Sequence, residues 1–155
     1  MKHWLFKSEP DVFGVDDLAR APKRTTGWEG VRNYQARNML RDEIKAGDLG
    51  FFYHSSCAVP GIAGIVKIVR AGYPDPTSFN RKSEYYDASS SPDAPRWYAV
   101  DVQLKKKIDP VITLDELREH VTGALRDMVL LRRGNRLSIT PVTSDEWNFI
   151  VALRA

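Results

Sequence analysis

The residues best equipped for chemistry lie between Gly27 and Arg37, in the run Gly-Trp-Glu-Gly-Val-Arg-Asn-Tyr-Gln-Ala-Arg. Trp28 supplies a flat ring, Asn33 and Gln35 supply amides, Tyr34 a second ring, and Arg32 and Arg37 supply cations. Gly27 and Gly30 flank the indole and permit a close backbone approach, so the ring need not be swallowed by core. Trp28 therefore carries two readings, a packed core ring and a stacking surface, because large aromatics are more often packed than functional. Asn33 has a sufficient structural role as a helix N-cap, since its side-chain oxygen accepts from the free N–H groups of a first turn. Polar groups gather at two other chain turns, Lys7-Ser8-Glu9 before Pro10 and His54-Ser55 at the head of a loop. Ser8 and Glu9 are equally explained as a turn capping a neighbouring helix. Tyr53 is expected to point at least partly into the core, and His54 toward the site.

Several chemistries find no support. His3, His54, His120 and Cys57 lie at no recognisable ligand spacing, so no metal and no cofactor is expected. There is no Gly-x-Ser-x-Gly elbow, no phosphate-binding glycine loop and no deaminase signature of His-x-Glu with Cys-x-x-Cys. Cys57 and His54 stand three apart on a loop, where a working thiol pair seldom forms. A single cysteine rules out an internal disulfide framework and fits a reducing compartment. No leader-like start and no stretch of membrane-spanning length is present, which leads to the expectation of a soluble, cytoplasmic protein with no membrane partner. The 23 Lys and Arg against 20 Asp and Glu give a net charge of +3. An excess this small suggests a local basic patch, and a polyanionic partner is permitted but not demanded.

Hydrophobic periodicity sketches the scaffold that must hold these groups. Residues 3–7 are short, aromatic and apolar and stop at Ser8-Glu9-Pro10, which reads as an opening strand followed by a turn. A brief helix is predicted over 15–20, behind Gly14 and with Asp16 and Asp17 at its positive end. Residues 21–26 form a basic link carrying Lys23 and Arg24. Ala36, Met39, Leu40 and Ile44 recur at helical spacing and predict a helix over 34–46, closed by Gly47 as a left-handed cap. Residues 49–53 and 62–70 read as paired strands joined by a loop longer than a tight hairpin needs. The segment 71–96 holds four prolines and Tyr85-Tyr86, and is read as a packed surface loop rather than a lid. Residues 97–107 alternate as a half-buried antiparallel strand.

Two capping boxes, Thr113 with Glu116 and Thr143 with Glu146, open late helices, with Ile112 and Val142 placed to staple onto Leu117 and Trp147. Between them, Arg132, Arg133 and Arg136 form a cationic turn flanked by apolar runs, and Pro141 separates that turn from the last helix. Antiparallel strands with short helices inserted among them make the class α+β, in a single domain over 1–155. The long links suggest a strongly curved sheet or small barrel, and the order does not repeat as parallel crossover units.

The strings Trp4-Leu5-Phe6-Lys7-Ser8-Glu9-Pro10, Trp28-Glu29-Gly30-Val31-Arg32-Asn33-Tyr34-Gln35-Ala36-Arg37, Phe52-Tyr53-His54-Ser55, Pro60-Gly61-Ile62, Tyr73-Pro74-Asp75 and Pro95-Arg96-Trp97 together resemble the EVE domain family. The likeness continues through Leu130-Leu131-Arg132 and Leu137-Ser138 to Pro141-Val142-Thr143, so it covers essentially the whole chain. The resemblance implies a PUA-like, curved antiparallel β-barrel with short helices around it. It also implies kinship to the YTH readers of methylated adenine and binding of a modified base in DNA or RNA. In the YTH relatives an aromatic cage closes on the methylated base, and Trp28 is the residue that best matches a cage wall.

A flipped base needs a ring to stack on and polar groups to read its edge. Under this reading Trp28, Tyr34 and Tyr53 are the candidate rings, and Lys7, Ser8, Glu9, Asn33, His54 and Ser55 the candidate edge readers. Phosphate contacts, which position a strand without reading its sequence, would come from Lys23, Arg24, Arg32, Arg37, Arg132, Arg133 and Arg136. A second reading is a small hydrolase of modified nucleobases or nucleosides, with Lys7, Glu9 and His54 as acid or base groups. The non-catalytic reader, as a monomer, is the preferred expectation.

Overall fold

The computed structural model describes residues 1–154. Six strands, β1 (His3–Ser8), β2 (Thr25–Trp28), β3 (Leu49–His54), β4 (Gly61–Pro74), β5 (Tyr98–Thr113) and β6 (Ile139–Val142), form one sheet in the order β2-β5-β4-β3-β1-β6. The α+β class holds, but the antiparallel barrel needs two corrections. The pairing of β1 with β3 is parallel, with Lys7 opposite Tyr53, while the remaining neighbours are antiparallel. The sheet is also open, because its edge strands β2 and β6 do not pair with each other. One crossover is enough to produce the parallel pair. The chain leaves β1 through α1 (Pro10–Phe13), α2 (Val15–Arg20), β2 and α3 (Tyr34–Asn38), and returns in the same direction as β3. Curvature comes from β4 and β5, whose ladder shifts register at four places, each shift bending the strands.

Alternation along β1 and β3 sends successive side chains to opposite faces, and each face has its own core. Trp4, Phe6 and Phe52 join Trp28, Leu18, Leu40 and Val100 on one face. Leu5, Phe51 and Tyr53 join Leu117, Trp147 and Ile150 on the other. The first face is covered by α2 and α3, the second by α4 (Leu114–Arg118) and α5 (Ser144–Ala152).

Locally the structure departs from expectation in instructive ways. Pro10 opens α1 at its first position, where a missing N–H costs nothing. Residues 25–28, the first two of them read as part of the basic link, pair with β5 as an edge strand. The helix begun at Tyr34 changes at Met39 into a π-turn through Glu43, marked by Ile44 N–H donating to the Met39 carbonyl at 2.9 Å. It therefore ends before Gly47, whose left-handed backbone serves the following turn instead. Pro141 does stand between the cationic turn and the last helix, but within a strand the sequence did not announce, β6, where it lies opposite Trp4 on an edge that tolerates proline.

Thr143 and Glu146 complete their capping box in both directions, at 3.1 and 2.9 Å. Thr113 accepts from Glu116 N–H at 3.0 Å, but the Glu116 carboxylate turns to Arg154, at 2.6 and 2.8 Å, and ties the chain end to α4. The long segment after β4 is packed as expected, although its pin is Asp75 rather than the tyrosines. This fully buried carboxylate accepts from Gly30 N–H at 2.8 Å, Arg32 Nη1 at 3.0 Å, Thr77 N–H at 2.8 Å and Thr77 Oγ1 at 2.6 Å. At the far end of the segment, Trp97 Nε1 donates to Asp87 at 2.7 Å.

Candidate functional site

The end of β1 lies between two cavities, and Lys7 lines both. The first, of about 520 Å³, is bounded by Lys7-Ser8-Glu9, α1, the segment from Thr26 to Arg32, and Glu84-Tyr85 of the long segment. Trp28 lines it and keeps only 8% of its surface exposed. The indole packs edge-on against Phe6 at 5.3 Å and Phe52 at 5.5 Å, so it is at once a core ring and a cavity wall. Its two readings are not exclusive.

Gly30 is what allows the opposite wall. Its φ of +80° suits glycine, and a Cβ there would come within 2.7 Å of the Tyr85 ring. Arg32 then fastens Tyr85 by donating to its carbonyl at 2.7 and 3.2 Å, with its guanidinium over the Tyr85 and Trp97 rings at 5.7 and 5.2 Å. Together with its ion pair to Asp75, this makes Arg32 a brace of the cavity, with little left for phosphate. Burial alone would raise the Asp75 carboxyl. The donors from Thr77, Gly30 and Arg32 outweigh burial and hold it below the usual carboxylate range.

The polar lining is distributed as follows. Ser8 Oγ donates to the Phe13 carbonyl at 2.6 Å, so its hydroxyl closes the turn into α1, the structural role already open to it. Glu9 caps α1 through its backbone, and its exposed side chain makes no cap bond. Burial pushes the Lys7 ammonium down from its ordinary value. Glu29, absent from the expected pocket set, faces the same cavity, and burial together with Asp75 and Asp101 pushes its carboxyl up. Its place beside Trp28 was the available signal. Glu84 and Tyr85 arrive from a distant segment, and nothing local announces them.

Three expected pocket residues lie elsewhere. Asn33 accepts from Ala36 N–H at 3.0 Å and is spent as the cap of α3. Tyr34 stacks on Trp97 at 4.8 Å, with the Arg37 guanidinium 4.9 Å from its ring, outside the cavity. His54 is half-buried, not turned to the site. Its Nε2 accepts from Val15 N–H at 3.1 Å and fixes the start of α2, and burial lowers its pKa, which favours the neutral acceptor form.

The second cavity, of about 540 Å³, takes in Tyr53 and Ser55 from the expected set, with Lys7, Arg118, Arg132 and Arg133 as its cations. No carboxylate lines it. Of the other proposed phosphate contacts, Arg37 donates to the Arg96 carbonyl at 2.7 Å, and Lys23, Arg24 and Arg136 are exposed away from both cavities. Among the described residues no cluster of His, Cys, Asp and Glu could hold a metal ion, and no helix is long and apolar enough to cross a membrane.

The chain matches the EVE domain over residues 2–153. It is 46% identical to thymocyte nuclear protein 1 of Homo sapiens, over 97% of this chain and 73% of that protein. Its structure is similar to that of the human THYN1 protein in complex with DNA containing 5-methylcytosine, with a TM-score of 0.93 and 46% identity over 99% of this chain and 98% of that one. A protein from Pseudomonas putida is similarly close, with a TM-score of 0.92 and 48% identity over 99% of both chains. These names correct the cytoplasmic placement read from composition. The relatives from Homo sapiens, Gallus gallus and Danio rerio are all named as nuclear proteins. A lone free cysteine is as compatible with the nucleus, where thiols are likewise kept reduced. With a family match from end to end and relatives this similar over nearly its full length, the chain belongs to the EVE domain family.

Proposed function

We propose that this protein binds DNA carrying a modified base, that the base enters the tryptophan-lined cavity, and that it is held there without chemical turnover. The observation that carries this reading is an aromatic wall, Trp28, in a cavity of about 520 Å³ rimmed by unspent polar groups. That volume lies in the ordinary range for small-ligand sites. The similarity to a human protein described in complex with 5-methylcytosine DNA supports the choice of DNA and of a modified base.

The chemistry follows from the lining. A base swung out of a duplex loses its stacking partners, and the indole replaces one of them, a contact worth roughly 1–3 kcal/mol. Glu9 and Glu29 can accept from an exocyclic amino group such as cytosine N4, while Lys7 donates to ring or carbonyl acceptors. A methyl at the base's 5-position adds apolar surface that Val12, Phe13 and the Trp28 ring can cover. The hydrolase reading keeps Lys7 and Glu9 in one cavity but loses His54, whose Nε2 is committed to Val15.

The test is a titration of matched oligonucleotides bearing cytosine or 5-methylcytosine, single- and double-stranded, as DNA and as RNA, with chromatography of the products. Tighter binding of the modified DNA, with no released base or nucleoside, is expected. Equal binding of modified and unmodified strands sinks the reading. Product release that Glu9→Gln abolishes replaces it with the hydrolase.

A further inference from the structure

The second cavity is the converse of the first. Lys7, Arg118, Arg132 and Arg133 converge on it without a compensating carboxylate in its lining, a positive balance that favours the entry of an anion. Convergence on a cavity distinguishes these cations from Lys23, Arg24 and Arg136, which are exposed and line neither cavity.

A second observation is independent of charge. Tyr53 is 3% exposed and lines this cavity, and among the described residues no protein group hydrogen-bonds its hydroxyl. Of the buried tryptophans, Trp4 Nε1 donates to Asp48 at 3.0 Å and Trp97 Nε1 to Asp87 at 2.7 Å, while among the described residues no protein group accepts from the Nε1 of Trp28 or Trp147. The Tyr53 ring is buried but its hydroxyl is not sealed in, since among the described residues Thr140 Oγ1 is the buried side-chain polar atom without a partner. The phenol O–H therefore opens on the cavity as a donor free for a ligand. Burial pushes the Tyr53 phenol up to about 12, against the opposing Arg118 charge, so at neutral pH it remains a donor. An anion with several acceptor oxygens answers both observations at once.

The fold also connects this cavity to the base site. Lys7 and Tyr53 stand opposite each other on the parallel strands β1 and β3, and Lys7 lines both cavities. Along a nucleic-acid strand a phosphate flanks every sugar and base, so a strand that places its base against Trp28 brings phosphates to the neighbourhood of Lys7. From this geometry we infer that the arginine-lined cavity is a phosphate site. It seats a phosphate of the same DNA strand whose modified base occupies the tryptophan cavity, with Arg132, Arg133 and Arg118 neutralising it and the Tyr53 hydroxyl as the innermost donor. The strand assignment rests on the proposed base-binding function; the anion site itself does not.

Two measurements separate these. In the first, the full chain is melted with increasing inorganic phosphate at constant ionic strength. The wild type should gain thermal stability, whereas Arg132→Ala/Arg133→Ala should gain none and Tyr53→Phe, which keeps the buried ring, should gain less. In the second, oligonucleotides with one 5-methylcytosine carry a neutral methylphosphonate at each flanking position in turn. One position should cost the wild type about tenfold in affinity, the size expected for losing charge-assisted hydrogen bonds. The same replacement should cost Arg132→Ala/Arg133→Ala nothing further, since their partner is already gone. If phosphate stabilises wild type and double variant equally, and no methylphosphonate position distinguishes them, the phosphate site is overturned while any 5-methylcytosine preference stands. If phosphate protects only the wild type but no methylphosphonate position matters, the strand assignment is overturned in favour of a free phosphate ester. Loss of 5-methylcytosine preference, with phosphate protection intact, removes the base-binding reading and leaves the anion site.

Discussion

The two cavities beside Lys7 have nearly the same volume, about 520 and about 540 Å³, and almost opposite chemistry. One has an indole wall and the carboxylates Glu9, Glu29 and Glu84; the other gathers three arginines and a buried phenol. They differ because they draw on opposite faces of the sheet. Phe52 turns to the Trp28 side and Tyr53, the next residue, to the other, so adjacent positions on one strand serve different cavities. Both reach into the core, the first through Trp28 and the second through Tyr53 and Leu130, but the cations of the second, Arg118 at the end of α4 and Arg132 and Arg133 on the cationic turn, are exposed. Substitution of the Trp28 wall should therefore cost stability as well as binding, and substitution of the exposed arginines of the second cavity should cost binding alone.

The largest expected effect is at Trp28. Because the ring packs on Phe6 and Phe52, Trp28→Ala should lose about 3–5 kcal/mol in urea denaturation in addition to its binding. Trp28→Phe, which keeps an aromatic face, is the variant that separates stacking from folding. An alanine variant as stable as wild type would show that the indole is a wall and not core.

Asp75 ranks second. Asp75→Asn removes the charge that holds Gly30, Thr77 and Arg32, and should cost about 2–3 kcal/mol, discounted because Arg32 is partly exposed. The pH dependence has a definite sign. The folded carboxyl lies below its ordinary value, so its contribution is fully present above a pH of about 4 and is lost as pH falls through the folded value. The acid limb of a stability profile should flatten in Asp75→Asn.

Salt dependence sharpens the contrast on the other side. The slope of log affinity against log salt should fall by about 0.9 for Arg132→Ala, one phosphate's worth of released counterions, with urea stability unchanged. An unchanged slope would mean that Arg132 does not meet the strand. The smallest effect is expected at Glu9, whose exposed side chain makes no cap bond, so Glu9→Gln should leave stability within about 0.5 kcal/mol of wild type.

Legibility in the sequence followed the range of the interactions. Asn33 and Thr143 were readable as caps because a cap is a contact over three residues, and both make it. The box at Thr113 was readable only by half, because Arg154 arrives from the far end of the chain to take Glu116. Trp28 was conspicuous from its glycine setting, and Lys7-Ser8-Glu9 from its place at a strand end. Tyr85, Glu84 and Asp75 were not, since they reach the cavity through a long segment whose local pattern says only that it turns. His54 was misplaced because a histidine beside serines reads as exposed, and its acceptor role depends on where α2 begins.

By itself the sequence determined the α+β class, most of the strands and caps, and a family likeness borne by motifs along the whole chain. Each of these rests on residue type and spacing over a few positions, or on the order of such motifs. Tertiary structure alone decided that β1 pairs with β3 in parallel and that the sheet stays open. It likewise decided that Arg32 braces a wall while Arg132 faces a cavity. Those outcomes depend on which distant segments meet. Two arginines in equally polar stretches look alike until one finds a buried carboxylate, Asp75, and the other does not.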